Sequence, residues 1–288
     1  MSKYTSFKPL AAQNLKGKFT YFSTENAIVM GILNITEDSF FDGGKYKTEN
    51  KIINKCRKML EEGAAIIDIG AQSSRPGAQV ISAAEELIKL LPIIKLLKNR
   101  FPNIILSVDT YWAKVAEQCV KAGADIINDI SAGELDGKMV DTIAKLQVPY
   151  IIMHMQGTPI NMQKNPTYTN ITTEIISYFQ QKIKQLQAKG IHDIIIDPGF
   201  GFGKTLAHNY QLLNELEEFK QFGIPVLVGT SRKSMIYKLL DNSAEKALNG
   251  TSITNTIALQ KGANILRVHD VKEALECIKI TTFAKNNC

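Results

Sequence analysis

Arg267 and His269 stand two positions apart, and Ser231, Arg232 and Lys233 form a second tight group upstream. Cations, an imidazole and a hydroxyl so grouped suit phosphate oxygens and the charge that develops on a departing anion. Earlier in the chain, Asp109, Asn128 and Asp197 each follow a short apolar run. A carboxylate, an amide and another carboxylate, brought together from three elements, match the donors and acceptors of a planar heterocycle. An aspartate at such a position caps the next helix equally well, and Asp109, just ahead of Tyr111-Trp112-Ala113-Lys114, fits either role.

The stretch Gly199-Phe200-Gly201-Phe202-Gly203-Lys204-Thr205 suggests a nucleotide loop but fails both patterns. A P-loop ending at Gly203-Lys204-Thr205 requires glycine where Pro198 stands, and the dinucleotide fingerprint needs a different final spacing. The glycines instead let the backbone and Phe202 approach a flat ligand closely. His154, His192, His208 and His269 make no HExxH, and Cys56, Cys119, Cys277 and Cys288 make no CxxC, so no zinc caged by protein is expected. A lone histidine is more often structural, but Arg267-x-His269, set before the helix start at Val271, favours an anion site.

Each of these groups ends one of eight apolar runs: Ile28 to Leu33, Ala65 to Gly70, Ile104 to Val108, Asp125 to Ile130, Pro149 to Met153, Asp193 to Asp197, Pro225 to Gly229 and Asn264 to Val268. Runs that are apolar throughout, instead of alternating, are strands buried on both faces of a parallel sheet. Helical periodicity lies between them, as in Ala83 to Asn99 and Thr172 to Lys189. Eight such units predict either a closed α/β barrel or a long doubly wound sheet, and in both the site gathers at the strands' C-terminal ends. Residues 1–27 read as a hairpin extension and 28–288 as one barrel domain.

With 288 residues, 44% hydrophobic and 22% charged, the chain has material for a full core. The net charge of +6 comes with no basic run, so a small phosphate-bearing substrate is expected and nucleic acid is not. Neither a signal-peptide core nor an apolar stretch of membrane length occurs, so a cytoplasmic protein without membrane attachment is expected.

From Ile28 to Ala274 the segments Met30-Gly31-Ile32-Leu33-Asn34-Ile35-Thr36 with Asp38-Ser39-Phe40, Ser74-Arg75-Pro76-Gly77, Asp197 to Lys204, Ser231-Arg232-Lys233 and Arg267-Val268-His269-Asp270 occur in an order that resembles the dihydropteroate synthase family. The resemblance implies a (β/α)8 TIM barrel that joins a pterin diphosphate to 4-aminobenzoate. It implies that Asp109, Asn128, Asp197 and Lys233 hold the pterin, that Met153 and Phe202 line its pocket, and that Arg267 lies against its face, with Ser74 a further substrate contact. Arg267 and His269 would take the diphosphate, and Asn34 would help hold Mg2+. Ser231 and Lys233 would border the aminobenzoate, with Phe40, Arg75 and Pro76 folding over it. A homodimer is implied as well. Arg267, His269, Lys233 and Asp197 are the residues expected to carry the chemistry, a largely dissociative displacement that needs no strong base.

Glu37, Phe41, Gln72 and Ser74 depart from the family pattern, which commonly has proline, serine, glutamate and threonine there. Ser74 keeps the hydroxyl. Two rivals remain at this stage, a pterin-dependent methyltransferase and a pterin-binding protein without turnover. The first lacks its Asp-x-His-x-x-Gly corrinoid signature here, and the complete set of expected diphosphate contacts argues against the second.

Overall fold

The structure, a computed structural model, describes residues 27–35, 45–72 and 81–287. Eight strands alternate with helices: β1 Ile28–Asn34, α1 Lys45–Glu61, β2 Ile66–Gly70, α2 Ala83–Arg100, β3 Leu106–Asp109, α3 Ala113–Lys121, β4 Ile126–Asp129, α4 Met139–Leu146, β5 Tyr150–Met153, α5 Ile171–Ala188, β6 Ile194–Asp197, α6 Leu206–Asn214, a 3-10 turn at Leu216–Phe222, β7 Leu227–Val228, α7 Ser234–Tyr237, α8 Leu248–Gln260, β8 Ile265–Val268 and α9 Val271–Asn286. All pairings are parallel, in the order β6-β5-β4-β3-β2-β1-β8-β7. One isolated parallel bridge, Ile196 to Val226, joins β6 to the segment entering β7 and rounds the sheet into a barrel. The ring, and not the open sheet, is therefore the architecture.

All eight expected strands form, each within a few residues of its apolar run. The two expected long helices likewise run one residue beyond or short of their periodic stretches. Of the expected N-terminal extension only Ala27 lies within the described residues.

Side chains alternate along each strand, and this parity builds the site. Met30, Ile66, Ile126, Ile151, Ile195, Leu227 and Ile265 point into the barrel and fill its floor. Their neighbours, such as Val29, Ile67, Ile127, Ile152, Ile196 and Leu266, point outward into the core between strands and helices. Two residues beyond the floor, the inward positions are Asp68, Asn128, Met153, Asp197 and Arg267. The barrel is thus apolar at one end and charged at the other, on the same strands.

Candidate active site

Charges this deep persist only when paired and hydrogen-bonded. Arg267 meets that condition twice, donating from Nε to Asp68 Oδ2 at 2.7 Å and from a terminal nitrogen to Asp109 Oδ2 at 2.8 Å. Asn128 Nδ2 donates to the same Asp68 oxygen at 3.2 Å. Burial works against the Arg267 charge, yet attraction to Asp68 and Asp109 outweighs it and holds the guanidinium above its usual range. Burial raises the Asp109 carboxyl, with Arg267 opposing and Asp68 reinforcing the shift.

The ambiguity over Asp109 resolves in favour of the site. Helix α3 begins after Trp112, which supplies no side-chain cap; Ala113 N donates instead to Asp136 Oδ2 at 2.9 Å, and Trp112 N to Thr110 Oγ1 at 3.1 Å. Asp109 is free to face Arg267.

The loop after β6 builds the next wall. Asp197 Oδ1 accepts from Gly199 N at 2.8 Å. Gly199 has φ of 76°, and a Cβ there would lie 1.9 Å from the His154 carbonyl oxygen, so only glycine fits. Two lysines then hold alternate carbonyls of this loop: Lys233 Nζ donates to Phe200 O at 2.6 Å, and the buried Lys204 Nζ donates to Phe202 O at 3.0 Å. Lys204 also reaches His154 Nδ1 at 3.2 Å. Burial pushes His154 down to about 2, so its ring is neutral and Nδ1 accepts. Phe202 packs with Tyr111, Ile130, Met153 and Met162 as an apolar surface beside the charged array, and Lys233 Nζ stands 4.7 Å from its ring centroid.

At the end of β8, His269 N donates to Ser231 Oγ at 3.1 Å, and the same oxygen lies 3.1 Å from His269 Nδ1. Ser231 Oγ, accepting from the backbone, keeps both a proton and a lone pair, so it pairs with Nδ1 in either tautomer and Nε2 is the ring nitrogen left for a ligand. Burial, with Arg267 nearby, pushes His269 down to about 4, so the ring is neutral near pH 7. Arg232 stands apart from the other cations. It adopts φ of 55°, forms two 2.8 Å bonds to Asp270, and donates to the carbonyls of Ala244 and Glu245 at 3.1 and 2.8 Å. It braces the mouth and is not offered to a ligand.

Asn34 ends β1, half-buried, at an inward position of the same rim. Phe40, Ser74, Arg75 and Pro76 lie outside the described residues, as do Glu37 and Phe41. Gln72 is described, and its Oε1 accepts from Ile81 N at 2.9 Å. The structure therefore brings Asp109, Asn128, Met153, Asp197, Phe202, Ser231, Lys233, Arg267 and His269 to one mouth. It adds Asp68, which sequence reasoning passed over. The available signal was parity, since Asp68 follows the floor residue Ile66 by two.

A crystal structure of the Yersinia pestis dihydropteroate synthase, in complex with a sulfonamide drug, superposes with a TM-score of 0.87 at 43% identity, covering 94% of this chain and 99% of that one. A profile of the family described as pterin binding enzyme matches residues 30–269. The chain belongs to this family, among the dihydropteroate synthases. The Haemophilus influenzae dihydropteroate synthase is 45% identical over 254 residues, which is 88% of this chain and 92% of the relative. The Xanthomonas albilineans dihydropteroate synthase, solved with 4-aminobenzoic acid, superposes with a TM-score of 0.84 at 37% identity, covering 91% and 94% of the two chains. The resemblance carried by the motifs is thus matched along nearly the whole barrel. Among the described residues no helix is long and apolar enough to cross a membrane.

Proposed function

We propose that the chain condenses 6-hydroxymethyl-7,8-dihydropterin diphosphate with 4-aminobenzoate, giving 7,8-dihydropteroate and diphosphate in folate biosynthesis. The observation that carries this reading is the array of Asp68, Arg267, Asp109 and Asn128 at the barrel mouth, with the Ser231–His269 pair beside it.

In this reading Asp109, Asn128, Asp197 and Lys233 hold the pterin by its polar edges, against the surface of Met153 and Phe202 and the plane of Arg267. Arg267 and His269, the latter donating from Nε2, would draw the diphosphate away from the pterin methylene. The carboxylates and amide steady the positive charge that builds on the pterin ring as that bond lengthens. The arylamine of 4-aminobenzoate is already unprotonated near neutral pH and attacks without a strong base, bordered by Ser231 and Lys233. The family resemblance would add Phe40, Arg75 and Pro76 at the aminobenzoate and Ser74 as a further substrate contact. Sulfonamides, one of which is bound in the similar Yersinia pestis synthase, would compete for the aminobenzoate position.

Among the described residues no three His, Cys, Asp or Glu side chains gather to hold a metal. The amide oxygen of Asn34 fits a different arrangement, in which Mg2+ takes most of its ligands from diphosphate and water. When bound, the ion would neutralise the leaving group. A homodimer through the C-terminal barrel helices is supported by the exposed apolar side chains of Ile253, Ile280 and Phe283 on α8 and α9. The deciding experiment measures diphosphate release and dihydropteroate from purified protein, Mg2+ and the pterin diphosphate, with and without 4-aminobenzoate. Release coupled to dihydropteroate and dependent on 4-aminobenzoate is expected. Pterin binding without product would favour the non-catalytic rival.

A further inference from the structure

Asp68 is wholly buried, and one of its oxygens serves two partners at once: Arg267 Nε at 2.7 Å and Asn128 Nδ2 at 3.2 Å. A carboxylate facing a guanidinium only accepts hydrogen bonds. The amide of Asn128, which is otherwise free to present either end, must therefore turn its NH2 toward Asp68 and its carbonyl oxygen away. Among the described residues the Asn128 side chain makes no other hydrogen bond to override this choice. The amide carbonyl is left as an acceptor for a ligand that brings an N–H.

The two carboxylates on Arg267 differ in reach. The Asp109 side chain keeps 18% of its surface exposed, whereas that of Asp68 has none. A ligand entering the mouth can displace Arg267 from Asp109 and take that carboxylate. It cannot reach the Asp68 contact in the same way. Arg267 is then retained through Nε while its terminal nitrogens turn to the ligand.

From these contacts we infer that Asp68 is a positioning residue that sets the direction in which the pocket reads a heterocycle, by fixing Asn128 as an acceptor and keeping Arg267 in the mouth. The inference rests on the pterin reading above. Its consequence is discrimination: a site whose polar groups are committed to one polarity rejects an analogue of the same shape and opposite polarity.

The test compares 6-hydroxymethylpterin with 6-hydroxymethyllumazine, which carries an oxo group in place of the 2-amino group, by calorimetric titration. The proteins are the wild type, Asp68→Ala and Asn128→Ala, each checked for folding by thermal unfolding. Wild type should prefer the pterin, and Asp68→Ala should narrow that preference by about tenfold, because without the shared carboxylate oxygen the Asn128 amide is free to present either end. Asn128→Ala should narrow it similarly. A folded Asp68→Ala that keeps the full preference overturns the inference, and so does an undiminished preference in Asn128→Ala, which is informative even if the Asp68 variant fails to fold. Wild type that binds neither compound would instead overturn the pterin reading, and the inference with it.

Discussion

Lys233 stands with its ammonium 4.7 Å from the centroid of the Phe202 ring while donating to the carbonyl two residues earlier in the same loop. Burial pushes this lysine down to about 8, although the attraction of Asp197 opposes the shift. It is charged below about pH 8 and loses that charge as the pH rises. The kcat/KM for the pterin diphosphate should therefore fall above pH 8, and Lys233→Arg should move that limb upward because a guanidinium stays charged. A pH–rate profile with an unchanged basic limb in Lys233→Arg would exclude this lysine as its source.

Arg267→Ala and Asp197→Ala should each cost about 2 to 4 kcal/mol of transition-state stabilisation, as lost preorganised contacts do. Steady-state kinetics measure this directly. Near-normal turnover in either variant would defeat the roles proposed for them.

Glu86 on α2 is buried, accepts from Thr110 Oγ1 at 2.8 Å, and among the described residues has no partner for its other oxygen. Burial raises it from the usual 4.5 to about 8, against the Thr110 hydrogen bond and with help from the charge of Asp109. Its neutral form is favoured in the folded state, so its contribution is fully present below pH 4.5 and is lost as the pH rises through about 8. Glu86→Gln should gain stability over wild type at pH 8.5, on the order of 5 kcal/mol at most, and little at pH 4.5. Equal gains in urea unfolding at the two pH values would contradict this account.

Gly199→Ala combines a left-handed backbone with a collision against the His154 carbonyl. It should destabilise the protein by about 3 kcal/mol or more, beyond the ordinary cost of a single surface change, and should also weaken pterin binding because the Phe202 loop must move. Thermal unfolding together with titration of 6-hydroxymethylpterin reads both effects.

Removing Mg2+ with a chelator should abolish diphosphate release while leaving the binding of 6-hydroxymethylpterin nearly unchanged, since that ligand carries no diphosphate. Loss of both would place the ion in the pterin pocket itself.

The barrel was legible because strands buried on both faces are apolar without interruption, so each announced itself regardless of what it paired with. Register and parity were less visible. Asp68 sits inside such a run, and the arginine that explains it is 199 residues away in sequence. Asp109 fitted a cap and a ligand contact equally well in sequence, and only the position of Asp136 shows that the helix's first amide is satisfied elsewhere. Arg232 resembled the neighbouring lysine in type, but its positive φ turns it outward to Asp270, and nothing in local composition distinguishes the two.

The barrel's join between β6 and β7 consists of one bridge, next to a strand of only two residues, whereas β2 and β3, diametrically across the ring, share a full ladder. Thermal breathing concentrates where the fewest bonds must open. The circumference therefore has a compliant side, carrying Phe202 and Lys233, and a stiff side, carrying Asp68 and Asp109. Such a division lets the mouth widen to admit the second reactant without disturbing the groups that have already measured the first.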